Sequence, residues 1–410
     1  MKFAFVDGEK LCLYENGTTT VSESKYLLRA RESALRSAKS KEWKRKTDML
    51  VDDELYFDFN DDEVHSRVHC VSHTDSDEKM VYSFSVNGTS GIYYQYVNDK
   101  EKTEAHLISS NEVEFVSLSV CKNGKILSTV QTSSVCANIA IVDKTSGDFQ
   151  YLTGGDSLDE NPSLDENGNI LFNSFGVGRD QNNAFVAYGP SEIYRFNFAT
   201  KETELILSDD EYSYVKPVSD GEGNFYCIRK PAVDAPDENI FLQILLIPVR
   251  IVQAIVGFIS AFVSCFAKKP LIQGQTARSI GNGGDAAKNG ANARKMMINN
   301  HLVNVDKELK RNKKWSDLGF IPRNWVLVKI CPKQENKDEY TGYDIAYGVG
   351  DFCLIKENGE KHLIYTTGCQ IHEVIDHGEK GKRNHLFNVD CCVKVNALSS
   401  FDLEDELSLS

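Results

Sequence analysis

The chain has 410 residues, of which 41% are hydrophobic, so it can bury a sizeable core and is not a disordered polymer. Its 46 basic residues against 60 acidic ones leave a net charge of −14, which excludes nucleic-acid binding by the surface as a whole. The length is generous for one ordinary domain, although repeat folds reach it as a single closed unit.

Taken from the start, "MKFAFVDG" has too short an apolar stretch for a signal peptide and reads as a first β-strand, with "KLCLYE" behind it. The eleven cysteines show no C-x-x-C and no paired zinc-ligand spacing. They read as free thiols of a reducing compartment, and the expectation is a cytoplasmic protein. Glu23 to Lys46 is built of helix formers, with nine Lys/Arg against three Glu. Leu27, Leu28, Ala34, Leu35, Ala38 and Trp43 are expected to form its apolar face. An acidic run, Asp48 to Glu63, follows. The helix either docks with its basic face solvated or answered by those acids, or lies on an anionic membrane or an acidic partner. In "HSRVHCVSH", His65, His69 and His73 would share one face of a strand about 13 Å apart, too far for one metal.

A repeat then begins. "SDEKMVYSF", "KNGKILST", "ENGNILFNS" and "GEGNFYCIR" each place a polar turn before alternating apolar residues, a hairpin signal. After each of the first three comes a strand, a polar turn and another strand: "SGIYYQYVNDKEKTEAHLI", "ANIAIVDKTSGDFQYLT" and "SEIYRFNFATKETELIL". Met80, Ile126 and Ile170 mark the period, 46 and 44 residues apart. Four strands per repeat is the period of propeller blades, which bury both faces by stacking radially.

On these residues the chain resembles the WD40-like repeat of TolB-type β-propellers. Leu152, Thr153, Pro162, Ser163, Asp165, Gly168, Ile193 and Tyr194 match its order, with the Ser-Pro-Asp-Gly core stretched by two residues. The resemblance covers about residues 64–230 and implies an all-β propeller, commonly six-bladed, without one conserved activity. Pro162 is expected at the first position of a strand, where no ladder N–H is needed. Six blades are expected, the fifth starting at Tyr214 and resuming at Asn324, the sixth covering about 340–368. The C-terminal "CQIHEVIDH" and "HLFNVDCCVKV" are expected to complete the first blade. This gives 1–231 and 324–400 as propeller, 232–323 as a largely helical insertion in the fifth blade, and 401–410 as an acidic tail.

The insertion opens with "IFLQILLIPVRIVQAIVGFISAFVSCFAKK", in which the 27 residues from Ile240 carry one charge, Arg250, before Lys268 and Lys269. Its length passes the threshold for a membrane span. Gln243, Arg250, Gln253, Gly257, Ser260 and Ser264 nevertheless share a narrow stripe. Phe241, Leu245, Ile251, Ile255, Phe258 and Phe262 are the candidates for membrane or partner contact. A single crossing would separate two halves of one blade, so the candidate roles are attachment to a membrane surface, a re-entrant hairpin about Pro248, or burial against protein. A true span at 240–266 requires a different fold. Beyond it, 271–295 reads as a Gly/Asn-rich linker and Met296 to Trp315 as a basic helix.

No Gly-x-Ser-x-Gly elbow is present, and no metal site or cofactor is expected. The acids of "GDSLDENPSLDEN" match no EF-hand loop. In the loop "FGVGRDQNNAFVAYGPSE", Arg179, Asp180, Tyr188 and Glu192 are candidates to face a ligand or partner, the bland alternative being a loop latched by an Arg–carboxylate pair. The leading functional reading is a non-catalytic scaffold for protein–protein interaction, cytoplasmic and peripheral at a membrane face through its apolar helix. The rival is a small-molecule binder or enzyme using the central channel, which requires polar side chains from several blades to converge at one mouth.

Overall fold

The computed structural model describes residues 1–47, 64–74, 79–97, 104–143, 146–182, 185–232, 294–314, 318–332, 340–377 and 382–401. The chain divides into two units, Met1–Ala232 with Arg294–Ser410, and Val233–Ala293; the second lies outside the described residues.

Strands β1 (Lys2–Asp7), β2 (Lys10–Glu15) and β3 (Thr18–Ser22) open the chain and lead into helix α1 (Lys25–Thr47). A four-stranded sheet follows, of β4 (Ser66–His73), β5 (Lys79–Val86), β6 (Thr89–Tyr96) and β7 (Glu104–Ser110). Next come β8 (Glu114–Val120), β9 (Ile126–Ser133), β10 (Cys136–Val142) and β11 (Phe149–Tyr151). One parallel pair, Ala137 opposite Leu158, joins them to β12 (Ser157–Leu164), β13 (Ile170–Arg179), β14 (Phe185–Phe196) and β15 (Thr203–Leu207). Strands β16 (Tyr212–Ser219) and β17 (Phe225–Pro231) precede a separate hairpin, β18 (Lys295–Ile298) with β19 (His301–Asn304), and helix α2 (Val305–Lys313). Their sheet is completed by β20 (Val326–Pro332) and β21 (Tyr340–Tyr347). Last are β22 (Asp351–Glu357), β23 (Glu360–Thr366), β24 (Gln370–Ile375) and β25 (Asn384–Asn388), then β26 (Cys392–Asn396), which returns to pair with β1.

The period-2 alternation decides the packing. On β13, Ile170 and Phe172 pack with Leu127 and Ile139 of the preceding sheet, while Leu171 between them packs with Phe225 and Val328 of the next. On β17, Phe225 and Cys227 face backward, and Tyr226 and Ile228 join Phe352 and Leu363 ahead. The last interface joins Cys353 and Ile364 to Phe3, Phe5 and Val395, so the end of the chain packs on its beginning. Each large apolar residue buried this way contributes about 1.5–3 kcal/mol. The leading strands β26, β4, β8, β12, β16 and β22 touch in that order, and β22 touches β26 again.

Turn chemistry fixes the hairpins. Asn16-Gly17, Asn87-Gly88 and Asn358-Gly359 all carry positive φ, as two-residue turns that match strand twist require. Between β12 and β13, Asp165 Oδ1 accepts the backbone N–H of Asn167 and Asn169, each at 2.9 Å. Asp220 does the same between β16 and β17.

Several boundaries differ from the expectation. Pro162 does not start its strand: β12 begins at Ser157, and Asn161-Pro162 form a bulge within it, with φ +52° at Asn161. Around Pro162 β12 is paired with β13 alone, its single pair with β10 lying at Leu158, so a proline at this bulge breaks no ladder bond. Tyr340–Tyr347 belongs with β20 rather than with the sheet of β22, and β24 and β25 complete that later sheet, leaving only β26 to join β1. The helix expected over 296–315 is shortened to α2, because Asn299 and Asn300 both take positive φ and fold Lys295–Asn304 into a hairpin. Asn304 then caps α2 by accepting the Lys307 N–H at 3.0 Å. Helix α1 is where it was expected, but its buried face is Tyr26, Leu27, Ala30 and Ala34, with Leu28 and Leu35 exposed. Ser24 Oγ accepts the Leu27 N–H at 3.0 Å, and the Glu104 carboxylate accepts the N–H groups of Lys25 and Tyr26, which sets the helix angle and answers its N-terminal dipole. The side chain of Trp43, the acidic run 48–63 and the apolar stretch 240–266 lie outside the described residues.

Candidate functional site

Four of the leading strands share a defect. In β4 the register slips at His69, in β8 at Val116, in β12 at Asn161-Pro162 and in β16 at Lys216-Pro217. Bulges turn side chains out of the sheet plane, and here they carry His69, Asn161 and Lys216 to one place, where the leading strands meet. Two cavities open there. One, of about 690 Å³, is bordered by Arg67, His69, Glu114, Glu160 and the β18–β19 turn. The other, of about 730 Å³, is bordered by apolar residues, serines and the segment Ala397–Phe401. Ser117, Asn161 and Lys394 border both and form the waist between them.

Lys216 spans this region. Its Nζ lies 2.7 Å from Asp351 Oδ1 of β22 and donates to Val395 O at 2.9 Å and to Asn396 Oδ1 at 3.0 Å. Asn396 Nδ2 in turn donates to Val71 O of β4 at 2.9 Å. Asn173 Oδ1 accepts both Asn161 Nδ2 and the Lys216 N–H, which fixes the two bulges to each other. Lys394, on β26, makes no hydrogen bond or ion pair with the described residues through its ammonium, although it stands between the cavities.

The β18–β19 turn roofs the first cavity. Asn300 Nδ2 donates to Glu160 Oε1 at 2.8 Å, Asn299 Nδ2 to Gly350 O at 2.9 Å, Lys230 Nζ to Asn299 O, and Arg67 to Met297 O at 3.4 Å. Burial pushes the Glu160 carboxyl up, against the hydrogen bond from Asn300 and the charges of Lys394 and Lys230. Burial, with Arg67 and Lys394 adding to it, pulls His69 down to about 3, so the ring is neutral. Its Nε2 meets Ser85 Oγ at 2.8 Å, and its buried Nδ1 has no hydrogen-bond partner. This is not a catalytic triad. Glu114 approaches the same nitrogen as Ser85, at 3.9 Å, instead of orienting the ring through Nδ1, and a pKa near 3 makes the imidazole a poor base.

The residues singled out from sequence divide differently. Arg179 pairs with Asp156, latching the long β13–β14 hairpin to the β11–β12 loop. Tyr188 donates to Ser134 O at 2.7 Å, Asp180 accepts the Asn182 N–H at 2.8 Å, and Glu192 accepts from Tyr194 at 2.7 Å. None of the four borders either cavity. The neighbouring acids scatter as well: Asp159 accepts from Ser157 and Ser174, Asp165 holds a turn, and Glu166 accepts from Ser219. His65 is exposed, and His73 sits against Thr74 O. Among the described residues no group of three His, Cys, Asp or Glu has a metal-binding arrangement. Phe241, Leu245, Arg250, Ile251, Ile255, Phe258, Phe262, Lys268 and Lys269 lie outside the described residues.

Sequence reasoning missed Arg67, Glu160, Lys216, Asp351 and Lys394. Only the parallel "NPS" and "KPV", each preceding an Asp-led turn, signalled that Asn161 and Lys216 are equivalent.

No protein-family model matches the sequence, and no curated protein matches it. Among solved structures the chain is similar to TolB from Acinetobacter baumannii at 8% identity, covering 96% of this chain and 65% of that one with a TM-score of 0.49. It is similar to the tricorn protease at 9% identity, over 96% of this chain and 34% of that one, TM-score 0.39. A putative TolB from Agrobacterium tumefaciens has 15% identity over 58% of this chain and 73% of its own, TM-score 0.34. The fold, a set of recurring sheets whose leading strands touch in a closed succession, is that of a β-propeller. That statement stands on the chain's own recurring sheets, and no activity follows from a shared fold.

Proposed function

We propose that the chain is a non-catalytic, six-bladed propeller that works as a protein-interaction scaffold, with a partner addressing the mouth roofed by the β18–β19 turn. The blades are the sheets led by β26, β4, β8, β12, β16 and β22, the eight-stranded sheet counting as two. The observation that carries the reading is the β18–β19 hairpin, which holds the apolar Met297 and Leu302 half-exposed, Met297 beside the mouth; the convergence of Arg67, Glu114, Glu160 and Lys394 from four leading strands on one cavity is what the small-molecule reading requires. In this reading 232–323 interrupts the fifth blade, and 240–266 attaches the protein to a membrane face or a partner from the cytoplasmic side. Among the described residues no helix is long and apolar enough to cross a membrane.

A photo-crosslinking residue placed at Met297, beside the mouth, and another at Leu205, on an outer strand, test the reading; their exposures are matched at 50% and 49%. A discrete protein adduct is expected from position 297 and none from 205, in cells that make the protein. Equal adducts from both, or none from 297, would overturn it. A second reading, a small ligand in the channel, is favoured by the second cavity.

A further inference from the structure

The cavity beside the C-terminal segment differs in character from the roofed mouth. Leu118, Leu164, Val218, Phe352 and Leu354 give it an apolar wall, and its charged groups are Lys216 and Lys394. Lys216 is answered by Asp351 and two oxygens of β26, so it is spoken for. Lys394 makes no hydrogen bond or ion pair with a described residue through its ammonium, although its charge acts on Glu160, and it borders the same cavity as the apolar wall.

An ammonium in a recess bordered by hydrocarbon calls for an anion attached to an apolar body. The charge of that anion is restricted by what stands on the other side of the waist. Lys394 offers one positive charge, which a monoanion answers, whereas a dianion leaves excess negative charge near Glu114, which borders the adjoining cavity together with Lys394, Arg67 and Glu160. His69 adds a second, independent sign of a missing partner. It is 5% exposed, borders the adjoining roofed cavity, and among the described residues its Nδ1 has no hydrogen bond. Nε2 shares its hydrogen bond with Ser85 Oγ, in which either atom can donate, so Nδ1 is a buried donor or acceptor in want of a partner.

We propose that the axial cavity binds a small apolar carboxylic acid, with its carboxylate on Lys394 Nζ at the waist and its hydrocarbon body against Leu118, Leu164, Val218, Phe352 and Leu354. The site rests on reading the axial cavities as the working surface of the chain. Leu118, Leu164 and Val218 come from the leading strands β8, β12 and β16, and Phe352 and Leu354 from β22, so the body touches four leading strands while β26 supplies the charge.

Sodium octanoate is the probe, titrated calorimetrically into the full chain, with octan-1-ol as its uncharged counterpart and octyl phosphate as a dianion. Octanoate is expected to bind one to one, more tightly than octyl phosphate. Lys394→Met is expected to weaken octanoate about tenfold or more, as losing a charged hydrogen bond does, and to leave octan-1-ol unchanged. Circular dichroism and the thermal midpoint establish that the variant is folded; should it not fold, Lys394→Gln takes its place. No octanoate binding, or equal affinity in wild type and variant, would overturn the proposal. Octyl phosphate binding more tightly than octanoate would overturn the choice of a monoanion. The two readings fail separately: adducts from position 297 without octanoate binding remove only the acid site, and octanoate binding without adducts removes only the protein partner.

Discussion

The unfolded chain protonates His69 near the ordinary value of 6.5, whereas in the fold burial, with Arg67 and Lys394 adding to it, holds the pKa at about 3. Between those two values the unfolded state binds a proton that the folded state refuses, so stability falls as pH drops from about 6.5 toward 3. The slope is about 1.4 kcal/mol per pH unit for one such histidine. His372 adds another, since burial and Arg383 take it to about 3 as well. Urea unfolding of wild type and His69→Gln between pH 7 and pH 5 should therefore show a shallower acid loss in the variant, by about one proton's worth. Parallel curves would mean that His69 is protonated in the fold. Nothing in "HSRVHCVSH" distinguishes His69 from His65 and His73, because all three share one strand face until the bulge at position 69 sets it apart.

At the scale of elements, the bulged leading strands hold the molecule's axis by charge as well as by packing. Lys216 takes φ +55°, an unfavourable backbone for a lysine, and in return reaches Asp351, whose side chain is 0% exposed. Lys216→Met leaves that buried carboxylate without its ammonium and is expected to cost about 3–5 kcal/mol in denaturant unfolding. The double variant Lys216→Met/Asp351→Asn should recover most of the loss, since removing both charges removes the penalty. A double variant no more stable than the single one would show that Lys216 acts through its backbone instead. The same strands explain what could be read beforehand. Alternation such as Ile170-Leu171-Phe172 displays both faces of a buried strand, so the repeat, the hairpins and the split between β17 and β20 were legible. The site was not, because register slips depend on what the partner strand offers: Asn173 holds both Asn161 and Lys216, and residue spacing along β12 or β16 carries no trace of it. The Asn299-Asn300 turn is a plainer omission, since a pair of asparagines is a hairpin signal hidden here in front of a helical run.

For the whole molecule, the decisive pairing joins β26 to β1, Phe5 opposite Val395 and Ala4 opposite Asn396. It is assisted by the Cys391 N–H donating to Asp7 Oδ1 at 2.7 Å and the Gly8 N–H donating to Cys391 O at 2.8 Å. Without β26, the β1 edge is unpaired and Phe3, Phe5 and Cys353 lose a shared neighbour in Val395. A chain ending after Asp390 is expected to lose its cooperative thermal transition and to aggregate. A synthetic peptide of residues 391–401, added during refolding, should restore part of that transition by supplying the strand in trans. A cooperative transition in the shortened chain alone would show that the first sheet does not need its returning strand.

That return has a consequence for how the sheet is made. Its strand β26 is synthesised long after β1, β2 and β3. Until then the sheet stays unfinished, with an open edge and half an interface. Sheets made entirely of consecutive strands, such as β4–β7, can settle while synthesis continues. Of the described sheets, the one begun first is thus closed last.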